Sequence, residues 1–354
     1  MADIIHKLAA QFFQLVDLQH LALPPGSVLV QPEVQAAIYE HMFNETTVFP
    51  IPPANYRSRV LKLILSHIEE SITDPEEDTI NDDLMECWTE LVCQPKQSAV
   101  EQAQQLSFIK YTAPSETETG SHNQTAKTSK SVITSESRGL ILSAGTTGFR
   151  TWEAALHLGS FLASEAGEAL VRNKRVIELG AGTGFLSLVC ARFLGVRSVV
   201  VTDREPALID NMRECVPHNL DPETGKSIPI YPTVWEWGTP LERTGDLAGL
   251  DSGDDEGQGI KFDVALGADL IYDTDIIPLL LSTVQDLFEN YHIEHFIIAA
   301  TLRNEDTFRT FLNGCETNNF AVETLPFEST SSQDQTGFFH STSIPIRTYR
   351  ISRK

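Results

Sequence analysis

Apolar residues recur at helical spacing through the first hundred positions, then give way to short apolar runs alternating with amphipathic stretches. Ile5, Leu8, Phe12 and Leu15 share one helical face; so do Val60, Leu61, Ile64 and Ile68, and then Leu84, Trp88 and Leu91. Pro24-Pro25, Pro50, Pro52-Pro53 and the acidic turn Asp74-Pro75-Glu76-Glu77-Asp78 punctuate these segments. The pattern predicts a helical N-terminal extension over residues 1–111. Residues 112–138 are rich in Ser and Thr and nearly free of large apolar side chains. Such a stretch buries too little surface to order itself, so a flexible linker is expected there.

From residue 139 onward strand and helix patterns alternate. Strands are expected at 175–179, 198–202, 228–235, 262–268 and 295–301. Amphipathic helices are expected at 153–171, 184–194, 205–215, 275–289 and 305–316, with Pro278 harmless in a first turn. Two further alternating segments, 320–325 and 344–351, close the chain around a polar loop at 329–337. Residues 139–354 therefore read as one α/β domain, a doubly wound, seven-stranded, mostly parallel sheet with an antiparallel edge. An insertion at 244–259 carries Asp246, Asp251, Asp254, Asp255 and Glu256 among glycines.

Candidate chemistry concentrates at Val176-Ile177-Glu178-Leu179-Gly180-Ala181-Gly182-Thr183-Gly184. A buried strand running into glycines at a helix start lets the backbone approach a nucleoside cofactor, where side chains would intrude. About twenty residues on, Val199-Val200-Val201-Thr202-Asp203 ends a second strand in a carboxylate, the spacing at which ribose hydroxyls are met. The third glycine comes one residue early for a dinucleotide fingerprint, and Glu178 would repel a pyrophosphate. A cofactor with an ammonium group and no phosphate fits better. S-adenosyl-L-methionine meets that description; NAD meets it poorly.

Composition narrows the picture further. Lys and Arg number 26 against 49 Asp and Glu, a formal charge of −23, which argues against direct nucleic-acid binding. The same field would steer in a partner that presents lysine or arginine, or serve solubility alone. The five cysteines and ten histidines are scattered, so neither a disulfide framework nor a metal centre has sequence support. No apolar run approaches the roughly 18 residues of a membrane span, and the N-terminus lacks a secretory signal pattern. A cytoplasmic protein is expected.

Beyond the glycine loop, Thr151-Trp152-Glu153-Ala154-Ala155 and Ala268-Asp269-Leu270-Ile271-Tyr272 resemble motifs of the seven-β-strand S-adenosylmethionine-dependent methyltransferases. Within them the resemblance is to the family 16 protein-lysine methyltransferases, whose Asp-x-x-Tyr motif follows the fourth strand. Two longer stretches, Ser143-Ala144-Gly145-Thr146-Thr147-Gly148-Phe149-Arg150 and Thr301-Leu302-Arg303-Asn304-Glu305-Asp306-Thr307-Phe308, are similar to the branch that methylates translation elongation factor 2. The likeness covers about residues 139–351 closely and the N-terminal part more loosely.

That resemblance implies a Rossmann-like methyltransferase fold and a set of roles. Gly180, Ala181 and Gly182 would face the cofactor's methionine and ribose, and Asp203 would accept from the ribose hydroxyls. Trp237 would border the adenine, with Trp235 as the alternative. Trp152 would contact the cofactor and Ala268 would lie beside it. Asp269 would capture and align the lysine ammonium, and Tyr272 would wall the lysine channel. The implied function is protein-lysine N-methylation, with elongation factor 2 as partner. The residues alone also admit a small-molecule methyltransferase or a non-catalytic partner-binding scaffold.

Overall fold

A computed structural model describes residues 2–74, 76, 78–95, 98, 101, 105–114, 130–137, 146–220, 224–225, 227–242, 247, 250 and 260–354. Most of the expected linker, the motif residues Ser143, Ala144 and Gly145, and the acidic stretch 251–256 lie outside them. The chain falls into two compact units. One comprises Met1–Ser131, Glu136–Leu140 and Gln333–Phe339; the other comprises Val132–Ser135, Ile141–Ser332 and His340–Lys354.

The first unit is built on helices α1 (Ala2–Phe13), α2 (Gly26–Leu29), α3 (Pro32–Ile38), α4 (Ala54–Glu69) and α5 (Asp82–Cys93). The apolar faces read from sequence meet in one core, where Leu8, Phe12, Ile38, Met42, Leu61 and Ile64 are buried. Asn81 caps α5, its side chain accepting from Leu84 N–H. Two expectations fail here. Helix α1 ends at Phe13, and Leu15 turns the chain at φ 56°. The extension is also not wholly helical, because β1 (Ser107–Thr112) closes it. The expected loop segment Gln333–Phe339 is part of this unit, where Phe339 N–H donates to Gln14 Oε1 at 3.0 Å.

The stretch expected as a linker holds β2 (Ser131–Glu136), buried along its length. Its Ser and Thr residues do not prevent burial, because neighbouring polar groups satisfy its backbone. In the second unit Asn219 bridges it, accepting from Ile133 N–H at 2.8 Å and donating to Ile133 O at 2.7 Å.

The second unit contains α6 (Glu153–Leu162), α7 (Glu165–Val171), β3 (Arg175–Glu178), α8 (Phe185–Phe193), β4 (Ser198–Asp203), α9 (Pro206–Cys215), β5 (Ile230–Val234) and β6 (Val264–Ala268). It ends with α10 (Ile277–Asn290), β7 (His295–Thr301), α11 (Glu305–Thr317), β8 (Phe320–Thr324) and β9 (Ile346–Arg353). The single helix expected over 153–171 is two. Ser164 interrupts it, its hydroxyl accepting from Gly167 N–H as the cap of α7.

The strands make a seven-stranded sheet in the order β5-β4-β3-β6-β7-β9-β8. The pairs from β5 to β7 are parallel; β9 is antiparallel to both β7 and β8. The last strand thus inserts inside the expected edge hairpin. The strand interiors, Val176, Ile177, Val199, Val200, Ala265, Leu266, Ile297 and Ile298, are all buried, as a sheet covered on both faces requires. All five parallel strands β3 to β7 end on one side of the sheet, which is where such sheets bind ligands.

Candidate active site

A cavity of about 310 Å³ opens at those carboxyl ends, within the size range of small-molecule sites (roughly 300–1,000 Å³). Each parallel strand delivers residues to it. The turn after β3 brings Gly180, Ala181 and Gly182, and β4 ends in Asp203. The segment after β5 brings Trp237, β6 ends in Ala268 with Asp269 and Tyr272 beyond, and Arg303 follows β7. Trp152 enters from the start of α6. All nine residues expected from sequence line this one cavity. Trp235 lines it too, with its ring buried and Nε1 donating to Thr239 O at 2.9 Å.

The glycine turn is pinned on several sides. Ala181 N–H donates to Thr202 O at 2.9 Å, and Gly182 N–H to Asp203 Oδ2 at 3.0 Å. Gly180 and Gly182 adopt φ of +57° and +55°, a region L side chains rarely occupy. A Cβ on Gly182 would lie 2.9 Å from Gly148 O, and one on Gly180 would lie 3.3 Å from the Trp237 ring. The preceding segment therefore passes directly over the turn. A hydroxyl–hydroxyl contact of 2.7 Å between Thr151 and Thr183 fixes it there.

Three carboxylates give the cavity its chemistry. Asp203 uses one oxygen on Gly182 N–H and the other on Glu205 N–H (3.1 Å), leaving further lone pairs toward the cavity. Burial raises its pKa, opposed by those backbone donors. Glu178 is fully enclosed, and burial pushes it up to about 7 although Ser187 supplies both its hydroxyl and its N–H. Asp269 sits at φ +53°, uncommon for a non-glycine residue, and its backbone N–H donates to Ala299 O. Its carboxylate accepts from Thr301 N–H (2.9 Å) and Thr301 Oγ1 (3.1 Å). Burial raises its pKa, while Thr301 and the Arg303 guanidinium pull it back. Tyr272 stands at the rim, 66% exposed.

The lysine methyltransferase family model matches residues 142–318 of this chain. Protein-lysine N-methyltransferase EFM3 of Chaetomium thermophilum is 38% identical to it over 97% of this chain and 96% of its own. The chain belongs to the lysine methyltransferase family. Two further matched members are more distant. Protein N-lysine methyltransferase METTL21A of Danio rerio is 30% identical over 50% of this chain and 71% of its own. EEF1A lysine methyltransferase 3 of Mus musculus is 29% identical over 49% and 64% respectively.

This lysine methyltransferase takes its methyl group from S-adenosylmethionine. The lining fits that cofactor: a glycine cradle that a Cβ would fill, carboxylates at Asp203 and Glu178 for hydroxyls and an ammonium, and flanking indole rings. Two features of the methyltransferase site escaped the reading of its sequence. The guanidiniums of Arg150 and Arg303 lie over the Trp152 ring, 5.2 and 5.1 Å from its centroid. Glu153 joins them, 3.0 Å from Arg303 Nη2 and 3.9 Å from Arg150 Nη2. Each of these residues falls in a stretch that carried the family resemblance. Nothing in their spacing, however, announces that residues 150 and 303 share one ring.

Proposed function

We propose that this protein-lysine methyltransferase acts on translation elongation factor 2 in the cytoplasm. The observation that carries this reading is the stretch Thr301-Leu302-Arg303-Asn304-Glu305-Asp306-Thr307-Phe308, similar to the elongation factor 2 branch, with Arg303 at the cavity. Elongation factor 1A is the second reading, favoured by the similarity to the mouse enzyme named for that substrate.

In this reading Gly180, Ala181 and Gly182 hold the cofactor's amino-acid and ribose portion, and Asp203 accepts from the ribose hydroxyls. Trp237 walls the adenine, Ala268 and Trp152 lie alongside, and Glu178 meets the ammonium group. When bound, S-adenosylmethionine supplies an electrophilic methyl group on sulfonium sulfur. Asp269 accepts a hydrogen bond from the incoming lysine nitrogen and aims it, and Tyr272 shields the channel from water at its rim. Orientation and water exclusion supply most of the rate. A free lysine amine has a pKa of about 10.4, so it enters protonated and must shed a proton before it can attack.

Peptide mass spectrometry tests the target. Unmethylated elongation factors 2 and 1A are each incubated with the enzyme and S-adenosylmethionine. A methyl mass gained on one lysine of factor 2 and none of factor 1A is the expected outcome. A gain on factor 1A alone replaces the first reading with the second.

A further inference from the structure

We propose that Arg303 is the positioning residue that sets the charge of the acceptor site. By masking Asp269, it lets a docked lysine release its proton to water and become a nucleophile. This inference rests on the reading above, that Asp269 receives the lysine nitrogen.

The difficulty it resolves is electrostatic. A bare carboxylate within about 4–6 Å of an ammonium favours the charged form by ~1–3 pH units. A carboxylate good at catching lysine is therefore bad at letting it react. Proton loss breaks one N–H bond, leaves the electron pair on nitrogen and gives the proton to water, and an unmasked Asp269 opposes that step.

The geometry supplies the mask. Arg303 Nη2 lies 3.6 Å from Asp269 Oδ2, on a carboxylate that accepts one hydrogen bond at each oxygen from Thr301 and keeps lone pairs for the lysine nitrogen. The same nitrogen donates to Glu153 Oε2 at 3.0 Å. A guanidinium stays protonated throughout the working pH range, so the mask is permanent. It is also held in place. The Trp152 ring beneath it is anchored by Nε1 donating to Thr147 O at 3.1 Å, and Arg150 shares that ring.

The ion-pair chain that ends at Asp269 balances. Arg303 comes from the end of β7, Glu153 from the start of α6 and Arg150 from the segment before it, so two cations face two carboxylates. On Asp269's own segment, Asp273 is exposed to solvent beside Tyr272. Across the cavity stand Asp203 and Glu178, each tied to backbone N–H groups. An amine arriving at Asp269 thus meets a hydrogen-bond acceptor inside a neutral cluster.

The experiment has two arms. In the first, kcat and KM on elongation factor 2 are measured for native enzyme, Arg303→Gln and Arg303→Lys from about pH 6.5 to about pH 10.5, which reaches the ordinary lysine value. Arg303→Gln should move the acid limb of kcat upward by about one pH unit, with its deficit vanishing at the alkaline end. KM should be unchanged or lower, and Arg303→Lys should restore the limb. A deficit equal at every pH overturns the proposal. In the second arm the Asp269 carboxyl is titrated by carbon-13 NMR without substrate. Its pKa should rise when Arg303→Gln removes the cation; an unmoved value overturns the proposal on its own. Should factor 2 gain no methyl from native enzyme, the target reading fails, while the masking of Asp269 is still decided by the carboxyl titration.

Discussion

Two polar clusters sit on one helix of this protein and do opposite things. At the start of α6, Trp152 and Glu153 join Arg150, Asp269 and Arg303 around an open cavity. One turn further on, His157 is 1% exposed, and its Nδ1 is 2.7 Å from Ser329 Oγ. That hydroxyl in turn lies 2.8 Å from His340 Nε2, with Phe327 against the His157 ring. The first cluster keeps unused acceptor capacity beside empty space, whereas the second spends its hydroxyl between two imidazoles and does not line that cavity. Polar burial alone therefore does not mark a site. The combination with accessible volume does, and the closed cluster reads as a stabilising latch within the second unit.

Substitutions should separate the two. Asp269→Asn keeps an acceptor for Thr301 and tolerates the left-handed backbone, so the fold should hold. Methylation should fall about a hundredfold, ~2.7 kcal/mol of transition-state stabilisation, with S-adenosylhomocysteine affinity within about threefold. If cofactor affinity collapses in parallel, Asp269 belongs to the cofactor and not to lysine.

The next contrast is in pH. Glu178, raised to about 7 by burial, is better tolerated protonated in the folded state. Its contribution to stability is fully present below the ordinary carboxylate value and is lost as pH rises through about 7. Glu178→Gln should therefore gain about 2–3 kcal/mol on native protein between about pH 4.5 and 8, while binding S-adenosylhomocysteine more weakly. Thermal melts across that range decide it; a difference independent of pH means that the carboxyl carries no such penalty.

His157 has the opposite sign. Burial, then the neighbouring His340, pushes its pKa down to about 4. Its contribution is present above the ordinary histidine value and is lost as pH falls toward 4. His157→Leu should flatten this acid limb. At neutral pH it should lose about 1–2 kcal/mol for the missing hydrogen bond, with methylation unchanged within about twofold. Loss of activity larger than the loss of folded protein would tie the latch to the cavity.

Much of this was legible in the chain. The continuous apolar runs of Val199-Val200-Val201 and Ile297-Ile298, the glycine turn and the strand-end carboxylates are local patterns, because a covered parallel strand must be apolar and a tight turn must be glycine. β2 was not legible, since its Ser and Thr residues look like linker until Asn219, eighty-six positions away, satisfies its backbone. The break at Ser164 was written in the chain as a cap residue but was hidden by continuous helical periodicity.

The sequence by itself determined the order of the seven sheet strands along the chain, the glycine turn and the types of residue at each strand end, because those follow from spacing along one segment. Only the tertiary structure decided that β9 inserts between β7 and β8, that Thr301 and Arg303 close on Asp269, and that Arg150 and Arg303 share the Trp152 ring. These contacts join residues far apart in the chain, and their strength depends on distance and burial in space, which no local pattern encodes.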